Sequence, residues 1–308
     1  MSVFVQTFSE DIYELFCSHL YTDILSLKVL SVTCLELNKL VMSMVTKKPI
    51  NCRGKNLLSS AIQSGRLELV KWFHNADRIS QTACYWAATI GSLDILQWLR
   101  LNNYPWCLLT TNTAARNGNI EIFKWALDAG CKFDNASCAV AAKNGHFKIL
   151  KYAYAHGEPI DAEANMKKYH NRWSPVVCEN ASRGGYLDIL KWAREHDFPW
   201  NEKVCSVAAS IGRLDILQWA RTHGCPWDSF TCSNTARKGH LEVLQWARAH
   251  GCPWDSFTCS HAAGGGHLEV LQWARAHGCP WDSYTYYAAN DCQNEELLQW
   301  VIDNQCPH

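Results

Sequence analysis

Tryptophan at 72, 98, 125, 192, 219, 246, 273 and 300 returns every 26 or 27 residues, with Tyr152 in the one vacant place and 13 extra residues between anchors 152 and 192. A fixed period of this kind demands a tandem array, in which each unit buries a face against its neighbours and no single large core is required. Residues 225–251 and 252–278 are the sharpest pair, differing at only four places. The unit reads as a duplication, so a residue type that keeps the period is first of all part of the stack.

Within a unit, Leu241, Val243, Leu244 and Ala247 stand at helical spacing on one face, which predicts an amphipathic helix, the outer and longer of two. Gly251 followed by Pro253 ends it, since glycine accepts a left-handed C-cap and proline cannot continue the helix. Asp228 or Ser229, repeated as Asp255, Ser256, Asp282 and Ser283, then offers an N-cap for a shorter helix ending at Gly239. That helix carries paired small residues in most units, among them Ala87-Ala88, Ala114-Ala115, Ala141-Ala142, Ala208-Ala209 and Ala262-Ala263, which allow close helix approach. The expected fold is an all-α helical-repeat solenoid of about nine units over residues 51–308. Its last unit has Gln293 in place of the turn glycine and reads as a polar cap. The extra residues, 162–173, are expected as a loop or helical excursion at the edge of the stack.

With 29 basic and 29 acidic side chains the chain has no net charge, so the basic footprint of a nucleic-acid binder is missing. No apolar run approaches the roughly 20 residues of a membrane span. The start, MSVFVQTFSEDIYE, has no basic segment leading into an apolar one, so the 16 cysteines are expected reduced in a soluble, cytoplasmic protein. Cys84, Cys138, Cys178, Cys205, Cys232 and Cys259 recur 14 residues before the anchors, and Cys225, Cys252, Cys279 and Cys306 recur after the outer helix. They lack C-x-x-C spacing, and stacked helices about 8–10 Å apart are too far for disulfides between units, so they read as small buried hydrophobes. His146, His240, His267, His223, His250 and His277 are periodic and belong to the scaffold. No nucleophile, base and acid stand apart from the period, and Gly264-Gly265-Gly266 ends a helix rather than following a strand, so neither catalysis nor a cofactor nor a metal is expected. The anchor tryptophans read as core, each contributing at most about 4–6 kcal/mol if fully buried. A second ladder, Trp106, Trp200, Trp227, Trp254 and Trp281, either packs the edge of the stack or offers aromatic anchors to a partner.

The run Ala262-Ala263-Gly264-Gly265-Gly266-His267-Leu268-Glu269-Val270-Leu271 resembles the ankyrin repeat, whose usual unit is about 33 residues. Here the unit is shorter and Cys-Pro-Trp-Asp stands where that family has its β-hairpin finger, so the resemblance implies shortened fingers and binding along the concave face of the helices. The duplicated units differ at Asn234/His261 and at the two places before the turn glycine. There the chain reads Arg116-Asn117, Lys143-Asn144, Arg183-Gly184 and Arg237-Lys238. By the resemblance, Arg116, Asn117, Lys143, Asn144, Arg183, Asn234, Arg237, Lys238 and His261 face the groove, the five cations forming a stripe suited to an acidic protein target. Solvated, unselected variation is the other reading.

Residues 1–50 fall outside the period and form a small helical module, with Ser9 as N-cap and Glu10 and Asp11 in the first turn. Phe8, Asp11, Ile12, Leu15, Leu20, Asp23, Ile24, Leu27, Leu30, Val32 and Leu40 resemble the F-box pattern, although Ser9 replaces its usual proline and Leu35-Glu36 its aromatic residue. The resemblance implies that Phe8, Ile12, Leu15, Leu20, Ile24, Leu27 and Leu30 dock the small adaptor of cullin-RING ubiquitin ligases. The chain would then be a substrate-recruiting adaptor. A helical cap on a plain binding solenoid is the alternative. F-box and ankyrin-type segments in this order are similar to proteins of large DNA viruses of amoebae.

Overall fold

The computed structural model describes residues 57–73, 82–161, 167 and 172–308. The chain divides into two compact units, residues 1–58 with 72–78 and residues 59–71 with 79–308. The first lies almost wholly outside the described residues, as do Phe8, Ile12, Leu15, Leu20, Ile24, Leu27 and Leu30, and the following account concerns the second.

The described residues form helices in nine pairs and no strand. They are α1 (Leu57–Gln63) and α2 (Leu67–Phe73), α3 (Ala83–Ile90) and α4 (Leu93–Leu101), α5 (Leu108–Asn117) and α6 (Ile120–Asp128), α7 (Asn135–Lys143) and α8 (Phe147–His156), α9 (Val176–Gly184) and α10 (Leu187–Glu195). The chain continues through α11 (Glu202–Ser210) and α12 (Leu214–Thr222), α13 (Ser229–Arg237) and α14 (Leu241–Ala249), α15 (Ser256–Gly264) and α16 (Leu268–Ala276), α17 (Ser283–Asp291) and α18 (Glu295–Asp303). The expected difference in length between the two helices is absent: both members of the later pairs have nine residues. The glycine between them stops the first helix only two residues before the second begins. None of the described helices is long and apolar enough to cross a membrane.

Local chemistry sets each boundary. Gly239 has φ +75°, and its N–H and that of His240 bond back to the carbonyls of Ala236 and Thr235, closing the end of α13. Gly251, at φ +81°, does the same for α14. Where glycine is missing from the equivalent places, Asn103, Asp197, Gln293 and Gln305 still take φ of 64, 59, 56 and 57°. The turn therefore survives in the last unit despite Gln293. Aspartate is the N-cap of α7, α13, α15 and α17: the carboxylates of Asp134, Asp255 and Asp282 accept from the N–H groups of Ser137, Phe257 and Tyr284, whereas Asp228 holds the N-cap place of α13 without a side-chain capping bond.

First helices pack on one another along the array, α3 on α5, α5 on α7, α7 on α9 and so on to α17. The described second helices meet far less, α6 and α8 making only a slight approach. Small buried side chains explain the difference, since α13 turns Thr231, Cys232, Ser233, Thr235 and Ala236 inward. A stack whose two rows pack at different spacings bends toward the closer one, so the first helices form the inner row.

The core consists mainly of Leu, Ile, Val, Ala and Cys, with Tyr104, Phe123, Phe198, Trp173 and Trp192 among its few aromatic residues: Val243, Leu244, Ala247, Cys252 and Cys259 are buried, as are their equivalents. The anchor tryptophans correct the sequence reading. Trp192 is buried, but Trp98, Trp125, Trp219, Trp246, Trp273 and Trp300 are half-buried on the outer row, so full-burial energies overstate their contribution. Trp125, Trp219, Trp246, Trp273 and Trp300 are wedged into an edge ladder with the turn tryptophans. Trp227 meets Trp246 edge-on at 6.2 Å, Trp254 meets Trp273 at 6.0 Å, and Trp281 meets Trp300 at 6.0 Å. The guanidinium of Arg221 lies 4.0 Å over Trp227, that of Arg248 4.0 Å over Trp254, and that of Arg275 4.1 Å over Trp281. The second ladder thus packs the edge.

The inserted segment leaves the stack unbroken, for α7 and α9 pack directly. Asn135 ties its two ends: its N–H and side-chain amide donate to Asp161, at 3.0 and 2.8 Å, and its carbonyl Oδ1 accepts from the N–H of Ser174 at 3.0 Å. Trp173, read from the sequence as part of the insertion, belongs to the repeat. It is buried in the turn-tryptophan position, stacked on Phe198 at 4.7 Å and on Tyr154 at 5.8 Å, and Tyr154 stands where other units place the covering arginine.

Candidate functional face

Once the small residues of a first helix are buried, three positions of each turn remain outward: in α13 they are Phe230, Asn234 and the Arg237-Lys238 pair, one stripe at i, i+4 and i+7/8. Successive units set these stripes side by side along the inner row. The nine residues singled out in the sequence all fall on this surface. Arg116, Asn117, Lys143, Asn144, Arg183, Arg237 and Lys238 are exposed, and Asn234 and His261 half-buried.

They divide by what they touch. Asn144 donates its amide to the carbonyl of Arg116 at 3.0 Å, and Asn117 donates to that of Thr89 at 3.2 Å. Gly184 and Gly265 hold the same place in other units. There a Cβ would stand 2.3 Å from the Lys143 carbonyl oxygen or 2.5 Å from that of Arg237. Asparagine and glycine are thus two ways of seating one unit over the last carbonyls of the previous first helix, which have no partner within their own helix. His261 likewise bonds the Ser233 carbonyl through Nδ1 at 3.3 Å. Variation at these places follows packing between units, a cause that the sequence comparison of duplicates could not separate from recognition.

The histidines after the turn serve the same end. Nε2 of His146, His240 and His267 bonds the carbonyls of Arg116, Ser210 and Arg237 at 3.0, 3.2 and 3.1 Å, and Arg213 reaches Gly185 at 2.6 Å. His223, His250 and His277 bond the carbonyls of Trp219, Trp246 and Trp273 through Nδ1 and stack on those rings at 4.1–4.3 Å. All six side chains are occupied with the scaffold.

The cations behave differently. Arg116, Lys143, Arg183 and Arg237 sit in the last turns of α5, α7, α9 and α13, with Lys238 next to Arg237, and none of the five joins an ion pair among the described residues. Positive charge at a helix C-terminus is locally favourable, and it also leaves an unneutralised basic stripe facing solvent. At the opposite end of the same helices Leu109, Val176, Phe230, Phe257 and Tyr284 are exposed. Sequence reasoning missed these apolar residues. Their signal was available: each stands 16 residues before an anchor.

Most of the buried thiols are held protonated. Burial pushes Cys131 up to about 11 and Cys84 and Cys178 up to about 12, and Cys138, Cys225, Cys232 and Cys259 also titrate well above an ordinary thiol. In Cys225, Cys232 and Cys259 a hydrogen-bonded thiol of the adjoining unit, Cys205, Cys252 and Cys279 respectively, is the larger cause. Among the described residues no three or more His, Cys, Asp or Glu are placed to hold a metal ion.

Stacked helix pairs with a periodic, solvent-facing inner stripe define an α-helical repeat scaffold for protein–protein contact. Residues 58–100, spanning the first two helix pairs, match the family model for ankyrin repeats (many copies). A search of curated proteins found no match.

Proposed function

We propose that the chain recruits a protein target along the inner row and delivers it to a cullin-RING ubiquitin ligase through residues 1–50. The observation that carries the first half is the stripe of exposed cations, Arg116, Lys143, Arg183, Arg237 and Lys238, none of them ion-paired among the described residues. An acidic segment is its complement, with charge accelerating encounter and fixing register. The second half rests on the resemblance of Phe8, Ile12, Leu15, Leu20, Ile24, Leu27 and Leu30 to an F-box. Thirteen free thiols among the described residues suit a reducing cytoplasm, and the viral resemblance points to that of a host cell.

The test uses the full chain with the purified cullin-RING adaptor subunit. Co-elution that is lost in a folded Leu15→Asp, Leu20→Asp variant supports the ligase role. Absence of a complex with the intact chain refutes it and leaves residues 1–50 as a cap. Separately, Arg116→Glu, Lys143→Glu, Arg183→Glu should abolish retention of an acidic polyglutamate probe at low salt, and unchanged retention would overturn the basic-face reading.

A further inference from the structure

At the N-terminal ends of the inner-row helices the chemistry changes from charge to aromatic surface. Phe230, Phe257 and Tyr284 occupy the same place in the first turns of α13, α15 and α17 and are 59, 55 and 69 % exposed, and Tyr287, in the next turn of α17, is 55 % exposed. Their helix neighbours Thr231, Thr258 and Thr285 are fully buried, so a soluble alternative at these outward positions would cost the stack nothing. Earlier units put Ala136 and Lys203 there.

We infer that the last three units dock an extended protein segment that carries an apolar side chain at every third residue, with an acidic flank lying toward Lys203. This deepens the target-binding reading above and rests on it. The spacing selects the conformation. Helices packed about 8–10 Å apart set the aromatic residues at that interval, and a polyproline II chain, at about 3.1 Å per residue and three residues per turn, presents the same face every 9.3 Å or so. An extended strand returns to the same face every 6.6 Å or so and slips out of register. A helix presents apolar residues at three- and four-residue steps, so half of its stripe would fall between the rings. Polarity selects the direction. The row of ring positions begins beside the exposed Lys203 and runs through Phe230 and Phe257 to Tyr284, so the basic flank lies on one side only. The same gradient argues against single-stranded nucleic acid, which would stack on such rings but needs cations all along its backbone.

The test selects phage-displayed random peptides of about 12 residues, long enough to cross three units at about 3.1 Å per residue, on the intact chain. Enriched peptides are then measured by fluorescence anisotropy. The expected consensus has apolar residues at i, i+3 and i+6 with Asp or Glu at one end, and Phe230→Ser, Phe257→Ser weakens binding by about tenfold or more. Both residues are exposed, so the variant should keep the wild-type helical circular dichroism and unfolding midpoint; Tyr284→Ser alone serves as a second, milder variant. An i, i+4, i+7 consensus, no enrichment, unchanged affinity in both aromatic variants, or tighter binding of an oligouridylate overturns the inference. Peptides that ignore the aromatic variants but are lost on Arg116→Glu, Lys143→Glu, Arg183→Glu overturn it while sparing the basic face. Peptides insensitive to both sets overturn both readings.

Discussion

Gly239→Ala probes the seam between units. At φ +75° an alanine is strained by about 1–2 kcal/mol, offset in part by the lower entropy of its unfolded chain, for a net of about 1 kcal/mol. The new Cβ would also stand 2.6 Å from Nδ1 of His267, the ring that bonds the Arg237 carbonyl at 3.1 Å. Displacing the ring breaks that bond and leaves a helix-end carbonyl without it, a further loss of about 1 kcal/mol. Gly251 supplies the control, with φ +81° and nothing within 4 Å of an added Cβ, so Gly251→Ala should cost only the strain. Urea unfolding followed by circular dichroism and by fluorescence, with unchanged m-values, should therefore place Gly239→Ala about 1 kcal/mol below Gly251→Ala. In a His267→Ala background the two should become equal, the signature of coupling in a double-mutant cycle. Equal costs in the wild-type background, or a gap that survives removal of the imidazole, would refute the account of the seam.

Three further outcomes follow from the same geometry. Gln293→Gly relieves a left-handed residue at φ 56° and should stabilise the chain by about 1 kcal/mol in the same urea assay. Cys84, Cys131 and Cys178 titrate near 12, 11 and 12 when folded, against about 9 when unfolded, so above pH 9 the folded state binds more protons and stability falls as pH rises. Urea midpoints between pH 8 and 11 should show that fall, shallower in Cys84→Ala, Cys178→Ala, and native alkylation mapped by mass spectrometry should reach Cys107 and Cys292 before the buried thiols. Arg248→Lys loses the guanidinium face over Trp254 and the bond to the Cys252 carbonyl, and should cost about 1 kcal/mol because an ammonium restores neither geometry.

The helices and their ends were legible because glycine, aspartate and proline act locally: Gly239, Gly251 and Asp255 cap where their chemistry requires. Depth of burial was not, because periodicity says that Trp246 belongs to the stack without saying whether its row is covered on both sides. Trp173 was hidden by displacement, since the 13 extra residues moved it off the period of the preceding turn, although it keeps the 19-residue distance to Trp192 that relates Trp227 to Trp246. On the inner face, the cations were found and their neighbours misread. Asn144 and Gly184 look like substitutions for recognition, yet one bonds a carbonyl of the previous unit and the other makes room for it, an equivalence visible only when the two units are in place.

The carbonyls at the ends of most first helices receive side chains from the unit that follows: His146 reaches Arg116, His240 reaches Ser210 and His267 reaches Arg237. On a ribosome these partners arrive one unit late. A nascent array is then always one helix end short of completion, and each new pair of helices finishes the one before it, so assembly should advance from the N-terminal side in steps. A stall or truncation within residues 82–308 would leave the same unfinished surface wherever it fell, a uniform mark of incompleteness for quality control to read.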